Sequence, residues 1–309
     1  MSPRPLACPA TVPRTSQALQ SPHEAIGPRP LPSHPVPELG DVDPAEVRVA
    51  LATTAARVIK LVRSIEKPEA PAVGNWNAGD VAVHLAHVWE NLTALADAKM
   101  EAPLQDIETL GSLTEALVTQ EGDRTPAALA DRIAARAAAF LADSSPLTRD
   151  APSPWLVQGI VVPRVALACH ILSECLVHGH DIARAQGVRW TIEPAHASLA
   201  LMGFAFPLLA RLDPRAMVDQ QRTAGFEACY ELSVRGAGHV FLLISEGAMT
   251  VAPQPRRRVD CHVSAAPATL LLLLFGRINQ WSAILSGRLL AWGPKPWLGP
   301  KLRHVLRNP

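Results

Sequence analysis

The chain has 309 residues, 48% of them hydrophobic, with 29 basic and 28 acidic side chains and a formal charge of +1. That length allows two domains with ordinary cores, and the apolar share excludes a disordered or fibrous chain. The near-neutral balance argues against a nucleic-acid or acidic-membrane partner.

Residues 1–42 are dense in proline, carry no apolar period and are expected to be a disordered tail. Asp43-Pro44 opens a first helix with a cap followed by Pro, and Val47, Leu51, Ala55, Val58, Leu61, Val62 and Ile65 continue it to about Glu66. A loop from Pro68 leads to Asn75-Trp76-Asn77, where Trp76 reads as a packing anchor. The second helix runs from about Ala78 to Met100, with Val81, His84, Leu85, Val88, Leu92 and Leu95 on its buried stripe. A less regular connection holding Pro103, Gly111 and Gly122 precedes a third helix, which starts at Thr125-Pro126 and carries Leu129, Ile133, Ala137 and Leu141. After a loop from Ser144 to Pro154, a fourth helix includes Cys169 to Arg184 and ends at Gln186-Gly187. A fifth follows Glu193-Pro194, with Leu199, Met202, Phe206 and Leu209 as its core positions. Amphipathic helices with short links predict an up-and-down bundle.

Beyond Asp213-Pro214 the period changes. Phe226 to Val234 and His239 to Ser245 alternate around Gly236-Ala237-Gly238, a hairpin signal. Short strands are predicted at Met249 to Val251, Val259 to Val263 and Arg288 to Trp292, with helices over Ala266 to Phe275 and Leu298 to Leu306. This C-terminal third reads as a small α+β domain, with the solvated turn Arg256-Arg257-Arg258 between two of its strands.

The five cysteines, Cys8, Cys169, Cys175, Cys229 and Cys261, form no CxxC pair, so neither a disulfide framework nor a cysteine zinc site is supported. A reducing cytoplasm is the natural setting. The longest uncharged apolar run, near Thr269 to Gly276, falls short of the roughly 20 residues of a spanning helix. The N-terminus also lacks the apolar core of a signal peptide.

Chemistry concentrates in the fourth helix. His170, Glu174 and His178 are spaced four apart and share a helical face, while Ile171, Leu172, Leu176, Val177 and Ile182 require much of that helix to be buried. A buried carboxylate and imidazole without partners would each cost several kcal/mol or change protonation. A divalent metal is the simplest shared partner, with a third ligand from His84 or His87 on the second helix. His84, Glu174 and His178 would make a two-histidine, one-carboxylate site with an open position for water or substrate. His170 and His87 rank as substitutes, and the alternative is a set of hydrogen-bonded core polar groups. Asp181 is placed either to hold an imidazole N–H or to serve as an ordinary surface or capping residue. Cys175 reads as buried and His180 as pointing elsewhere. Arg277 either complements a helix C-terminus or reaches into an interdomain pocket to bind an anion.

Two stretches carry a resemblance. Asn75-Trp76-Asn77-Ala78-Gly79-Asp80-Val81-Ala82-Val83-His84-Leu85-Ala86 resembles the W-t-x-x-d-v-x-x-H-L-a stretch of the mycothiol-dependent maleylpyruvate isomerase family, with Asn77 where Thr is usual. Glu174 to Ala183 looks like that family's second motif, E-x-x-x-H-x-x-D-x-A. From about Phe226 onward the chain resembles a sterol-carrier-protein domain through Leu271 to Arg277, Ser286 to Leu289 and Gly293 to Leu298. The resemblance implies a multidomain α and α+β protein. Residues 43–212 would form a DinB-like metal-binding four-helix bundle and 213–309 a sterol-carrier-protein-like α+β domain.

The same resemblance implies zinc or another divalent metal on His84, Glu174 and His178, mycothiol (the small thiol of actinobacteria) as cofactor, and Arg277 in the active site with Asp181 orienting a ligand. The implied chemistry is cis-trans isomerisation or S-transfer by a metal-bound thiolate on a small electrophile. The alternatives are a non-catalytic carrier of lipid or hydrophobic ligand and a metal-binding regulatory protein without turnover. The expected partners are a small thiol and an electrophile, with no nucleic acid and no membrane, and a monomer is the default.

Overall fold

The computed structural model describes Glu38 and residues 40–142, 146–148 and 152–307, so most of the predicted tail lies outside the described residues. Helix α1 (Pro44–Arg63) starts where Asp43 Oδ1 accepts the Ala45 N–H at 2.9 Å, and buries the predicted stripe from Val47 to Val62. A small hairpin follows, β1 (Pro71–Val73) with β2 (Trp76–Asn77). It delivers Asn77 as the N-cap of α2 (Ala78–Ala96). Asn77 Oδ1 accepts from the Asp80 N–H and Asp80 Oδ2 from the Asn77 N–H, both at 2.9 Å, so Asn serves the capping box that a Thr would otherwise make.

The predicted irregular connection contains a helix, α3 (Leu110–Gln120). Gly111 sits in its first turn, and Val118 is its one fully buried residue, so the helix leaves almost no apolar period to read. Next come α4 (Pro126–Phe140), the hairpin β3 (Pro152–Pro154) with β4 (Val161–Pro163), and α5 (Arg164–Ala185).

Helices α1, α2, α4 and α5 form a four-helix bundle in which α1 and α2 each pack on both α4 and α5. The consecutive pair α1 and α2 therefore stands on a diagonal, unlike the sequential neighbours of the predicted up-and-down bundle. The reason is the connection 64–77, which is long enough to cross the bundle end and is tied down where Arg184 donates to the Ala72 carbonyl.

The fifth helix is interrupted. α6 (Pro194–Ala200) passes through a π-helical turn, Leu201–Ala205, into α7 (Phe206–Leu209). Pro207 has no N–H to offer the carbonyl four residues back, on Gly203. That carbonyl instead accepts from the Gly40 N–H at 3.0 Å, which fastens residue 40 to the bundle.

Trp190 packs on Gly179 of α5, where a Cβ would lie 2.3 Å from a ring carbon. Its Nε1 donates to the Leu176 carbonyl at 3.0 Å, and the Arg57 guanidinium lies 4.1 Å over the ring. Alanine exceeds glycine in helix propensity by about 1 kcal/mol, but overpacking costs about 1–3 kcal/mol. Gly179→Ala is expected to lower the urea midpoint; an unchanged or raised midpoint would mean that the Trp190 ring moves aside freely.

The C-terminal part holds β5 (Ala228–Val234), β6 (Gly238–Ser245), β7 (Ala248–Ala252), β8 (Cys261–Ala265), α8 (Pro267–Leu274), α9 (Gln280–Leu285), β9 (Leu289–Trp292) and α10 (Leu298–Val305). The sheet order is β7-β6-β5-β8-β9, with β5 and β8 parallel and the other pairs antiparallel. Gly236, at φ +78°, makes the predicted β5–β6 turn. Tyr230, Leu232 and Val234 share a buried face with Val240, Leu242 and Ile244 and with Cys261, Val263 and Ala265. Of these C-terminal elements, α9 alone has no counterpart among those predicted. Helix α8 packs against α5 and α6, which brings its C-terminal end to the bundle. Among the described residues, no helix is long and apolar enough to cross a membrane.

Candidate metal centre

Three predicted side chains converge between α2 and α5. His84 Nε2 lies 3.1 Å from Glu174 Oε2, and His178 Nε2 lies 3.3 Å from the same oxygen. One ligand atom from each falls within 4.8 Å of the others. The spacing of four on α5 stacks Glu174 under His178, and the capped start of α2 sets the position of His84 opposite.

Asp181, with 1% of its side chain exposed, faces His178 Nδ1 at 3.1 Å. A carboxylate there accepts the Nδ1–H, which fixes the ring tautomer and leaves the Nε2 lone pair aimed at the cluster. Asp181 also accepts from Arg277, from Nε at 3.1 Å and from Nη2 at 2.9 Å. The turn after α8 explains how Arg277 arrives: the Gly276 N–H bonds the Leu273 carbonyl at 3.0 Å and the Arg277 N–H bonds the Leu272 carbonyl at 2.8 Å. With Gly276 at φ +71° this is a Schellman ending that directs the next side chain back over the helix end. Arg277 Nη1 donates to the Phe275 carbonyl at 2.5 Å, so Arg277 serves both the helix terminus and the site. Two of its five N–H groups stay available.

Burial opposes the charge on Glu174, but hydrogen bonds from His170, His178 and His84 outweigh it and hold the carboxyl well below its usual range. Burial likewise opposes ionisation of Asp181, and His178, His180 and Arg277 hold it far lower. Burial lowers the His84 pKa. It also pulls on His178, yet Asp181 and Glu174 raise that ring above its ordinary value. Two buried carboxylates against one guanidinium leave an anionic remainder. A proton on His178 can balance it, and so can a divalent ion on His84 Nε2, Glu174 Oε2 and His178 Nε2. The donor set fits such an ion.

The other predicted candidates make contacts of their own. His170 Nδ1 accepts from Trp155 Nε1 at 3.3 Å, so a neutral ring carries its proton on Nε2, 3.5 Å from Glu174 Oε1. His170 is thus a donor to the carboxylate at the edge of the cluster, stacked on Phe204 at 4.2 Å. His87 is turned toward the end of α3, where its Nε2 lies 3.2 Å from Glu121 Oε2 beside Arg132 and Glu90. Cys175 is buried, which pushes its thiol pKa up, and His180 Nδ1 stands 3.8 Å from Asp181 Oδ1. Trp76 does more than anchor a loop. Its ring lies 5.2 Å from His84, and its Nε1 donates to Glu115 of α3 at 2.7 Å. Beside His84 and Glu174 opens a cavity of about 390 Å³, also lined by Trp76, Trp155 and Arg277.

Residues 47–183 match the family model of the mycothiol maleylpyruvate isomerase N-terminal domain, and residues 208–294 match that of the SCP-2 sterol transfer family. The chain carries both domains. The isomerase-type domain covers α1 through most of α5, and with them His84, Glu174, His178 and Asp181. The SCP-2 domain includes Arg277 and the sheet. The predicted combination of a helical bundle with an α+β domain is thus the fold of the chain.

Among solved structures, a mycothiol-dependent maleylpyruvate isomerase is similar at 16% identity and TM-score 0.48, over 83% of this chain and 97% of that one. A histidine-to-alanine mutant of that enzyme gives the same figures. A UbiJ-SCP2 ubiquinone synthesis protein is similar at 24% identity and TM-score 0.23, over 28% of this chain and 71% of that one. No curated protein matches the sequence significantly.

Proposed function

We propose that the protein is a metal- and thiol-dependent enzyme of the maleylpyruvate isomerase type, acting in the cytoplasm as a monomer on a small electrophile. In this reading residues 43–212 supply the metal ligands His84, Glu174 and His178, and residues 213–309 supply Arg277. The observation that carries it is the aim of the donors: His84 Nε2, Glu174 Oε2 and His178 Nε2 meet beside a cavity, with the His178 tautomer fixed from behind by Asp181.

Zinc or another divalent ion, when bound, would lower the pKa of a coordinated thiol such as mycothiol and so supply a thiolate at neutral pH. The chain's own residues do the rest. Asp181 keeps the His178 proton on Nδ1, and the Asp181–Arg277 pair ties the C-terminal part to that histidine. Arg277 lines the cavity, and its spare N–H groups would hold a carboxylate of the electrophile. Trp76 and Trp155 line the cavity beside the cluster, the Trp76 ring 5.2 Å from that of His84. The four described cysteines, Cys169, Cys175, Cys229 and Cys261, are free and buried, in keeping with a reducing compartment.

The assay is direct. Zinc-loaded protein is incubated with mycothiol and either a cis-enoate or an alkyl halide, and trans product or thioether is quantified. Turnover that needs both thiol and metal is expected, and the substrate that responds separates isomerisation from S-transfer. Equal conversion without thiol, or none with any electrophile, would sink the reading. Carriage of a hydrophobic ligand without turnover is the second reading, favoured by the apolar lining of the cavity.

A further inference from the structure

One imidazole near the cluster has no part in the function proposed above. His170 lies one turn before Glu174 on α5, is 9% exposed, and is held by side chains from two other segments. Trp155 sits in the β3–β4 loop, where its N–H bonds the Ile160 carbonyl at 2.9 Å, and its Nε1 donates to His170 Nδ1 at 3.3 Å. The π-helical turn Leu201–Ala205 carries Phe204, which lies flat on the same ring with centroids 4.2 Å apart and planes 12° apart. Such turns are frequent at functional sites. Trp155 and Phe204 are themselves buried.

An apolar ring would fill this place without the cost of burying an imidazole. Histidine adds two nitrogens with different duties. Because Nδ1 accepts from Trp155, the neutral ring carries its proton on Nε2, which faces Glu174 Oε1 at 3.5 Å. The carboxylate is thereby divided. Oε1 faces His170, while Oε2 faces His84 Nε2 at 3.1 Å and His178 Nε2 at 3.3 Å. We propose that His170 is a positioning residue for the metal centre: its Nε2–H holds Glu174 Oε1, so that Oε2 is the oxygen presented to an ion shared with His84 and His178. Trp155 sets the tautomer of the His170 ring, and Phe204 sets its plane. This role rests on the metal-binding reading above and extends it. Asp181 orients one ligand, His178, and His170 orients another, Glu174.

The test is titration of the metal-free, full-length protein with zinc and with cobalt, whose visible spectrum reports the donors around it. His170→Phe keeps the stack on Phe204 and removes both nitrogens. Its Kd for zinc is expected to rise about 10–100-fold, as when an outer contact to a ligand is lost, and its cobalt spectrum should change. His170→Gln, whose amide N–H still reaches toward Oε1, should restore the spectrum and most of the affinity. Trp155→Phe releases the tautomer and should fall between the two. Equal Kd and equal spectra in wild type and His170→Phe would overturn the proposal and leave the metal site standing. Should His170→Phe fail to fold, an unchanged Kd in Trp155→Phe would overturn it. A His170→Gln variant that loses as much affinity as His170→Phe would overturn it as well, because the role would then need the imidazole itself, as a ligand does. Wild type that takes up neither zinc nor cobalt would remove the metal-binding reading and this role together.

Discussion

Glu174→Ala is expected to strip the protein of its metal while leaving the bundle folded. Wild type purified without chelators should contain about one divalent ion per chain by elemental analysis, with zinc the first expectation for two imidazoles and a carboxylate. Glu174 Oε2 lies within 3.3 Å of both ring nitrogens, so removing it deletes the centre of the ligand set. Structural zinc sites bind with about 10–16 kcal/mol. If four ligands share that equally, one ligand is worth about 2.5–4 kcal/mol, or roughly 10²–10³ in affinity. The helix should survive, because Glu174 is flanked on α5 by fully buried Ile171, Leu172, Cys175 and Leu176, whose packing the substitution does not touch. Far-ultraviolet dichroism unchanged beside lost metal is the expected pair of results. Metal-free wild type, or a variant that keeps its ion, would return the cluster to a set of hydrogen-bonded polar groups.

How much of this was legible beforehand depends on distance along the chain. Glu174 and His178 are a single turn apart, so helical period alone stacks them, and the apolar residues between them require burial. His84 was reachable because α2 has a capped start and a strong stripe. The sequence ranks His170 and His87 as substitutes, but the contacts that set them apart were not legible. Those contacts come from Trp155 and Glu121, which reach the two rings from other elements and fix their roles as hydrogen-bonding groups.

The pairing of Asp181 with Arg277 spans 96 residues and depends on where the α8 ending falls against α5, which no local pattern encodes. Helix α3 was hidden because a half-exposed helix with an early glycine has little apolar period. The cavity was hidden for a related reason. Lining leucines such as Leu232 and Leu242 alternate on their strands as core residues do, and a missing neighbour leaves no mark on a strand's own sequence.

The Asp181–Arg277 pair carries the second large effect, and it separates two roles within one side chain. Asp181→Asn keeps the volume but exchanges one accepting oxygen for an N–H donor. That exchange disturbs the His178 Nδ1–H bond and leaves Arg277, whose side chain is 16% exposed, without its counter-charge. Removing one partner of a buried ion pair costs about 3–5 kcal/mol, and the partial exposure of Arg277 places this case near the lower figure. Loss of the carboxylate behind a ligating histidine should independently weaken metal binding by about 10–100-fold.

Arg277→Met isolates the first role, because it leaves the Asp181–His178 contact in place. Its metal affinity should stay within a few-fold of wild type while its stability falls. The double variant, Asp181→Asn with Arg277→Met, should recover much of that stability, since neither charge is then left unpaired. A coupling of about 2 kcal/mol in a urea-denaturation cycle, with metal affinity following Asp181 alone, is the expected pattern. Additive losses would mean that the two side chains act independently. In that case the C-terminal part is docked on the bundle by apolar packing alone, and Arg277 is free to serve the substrate rather than the fold.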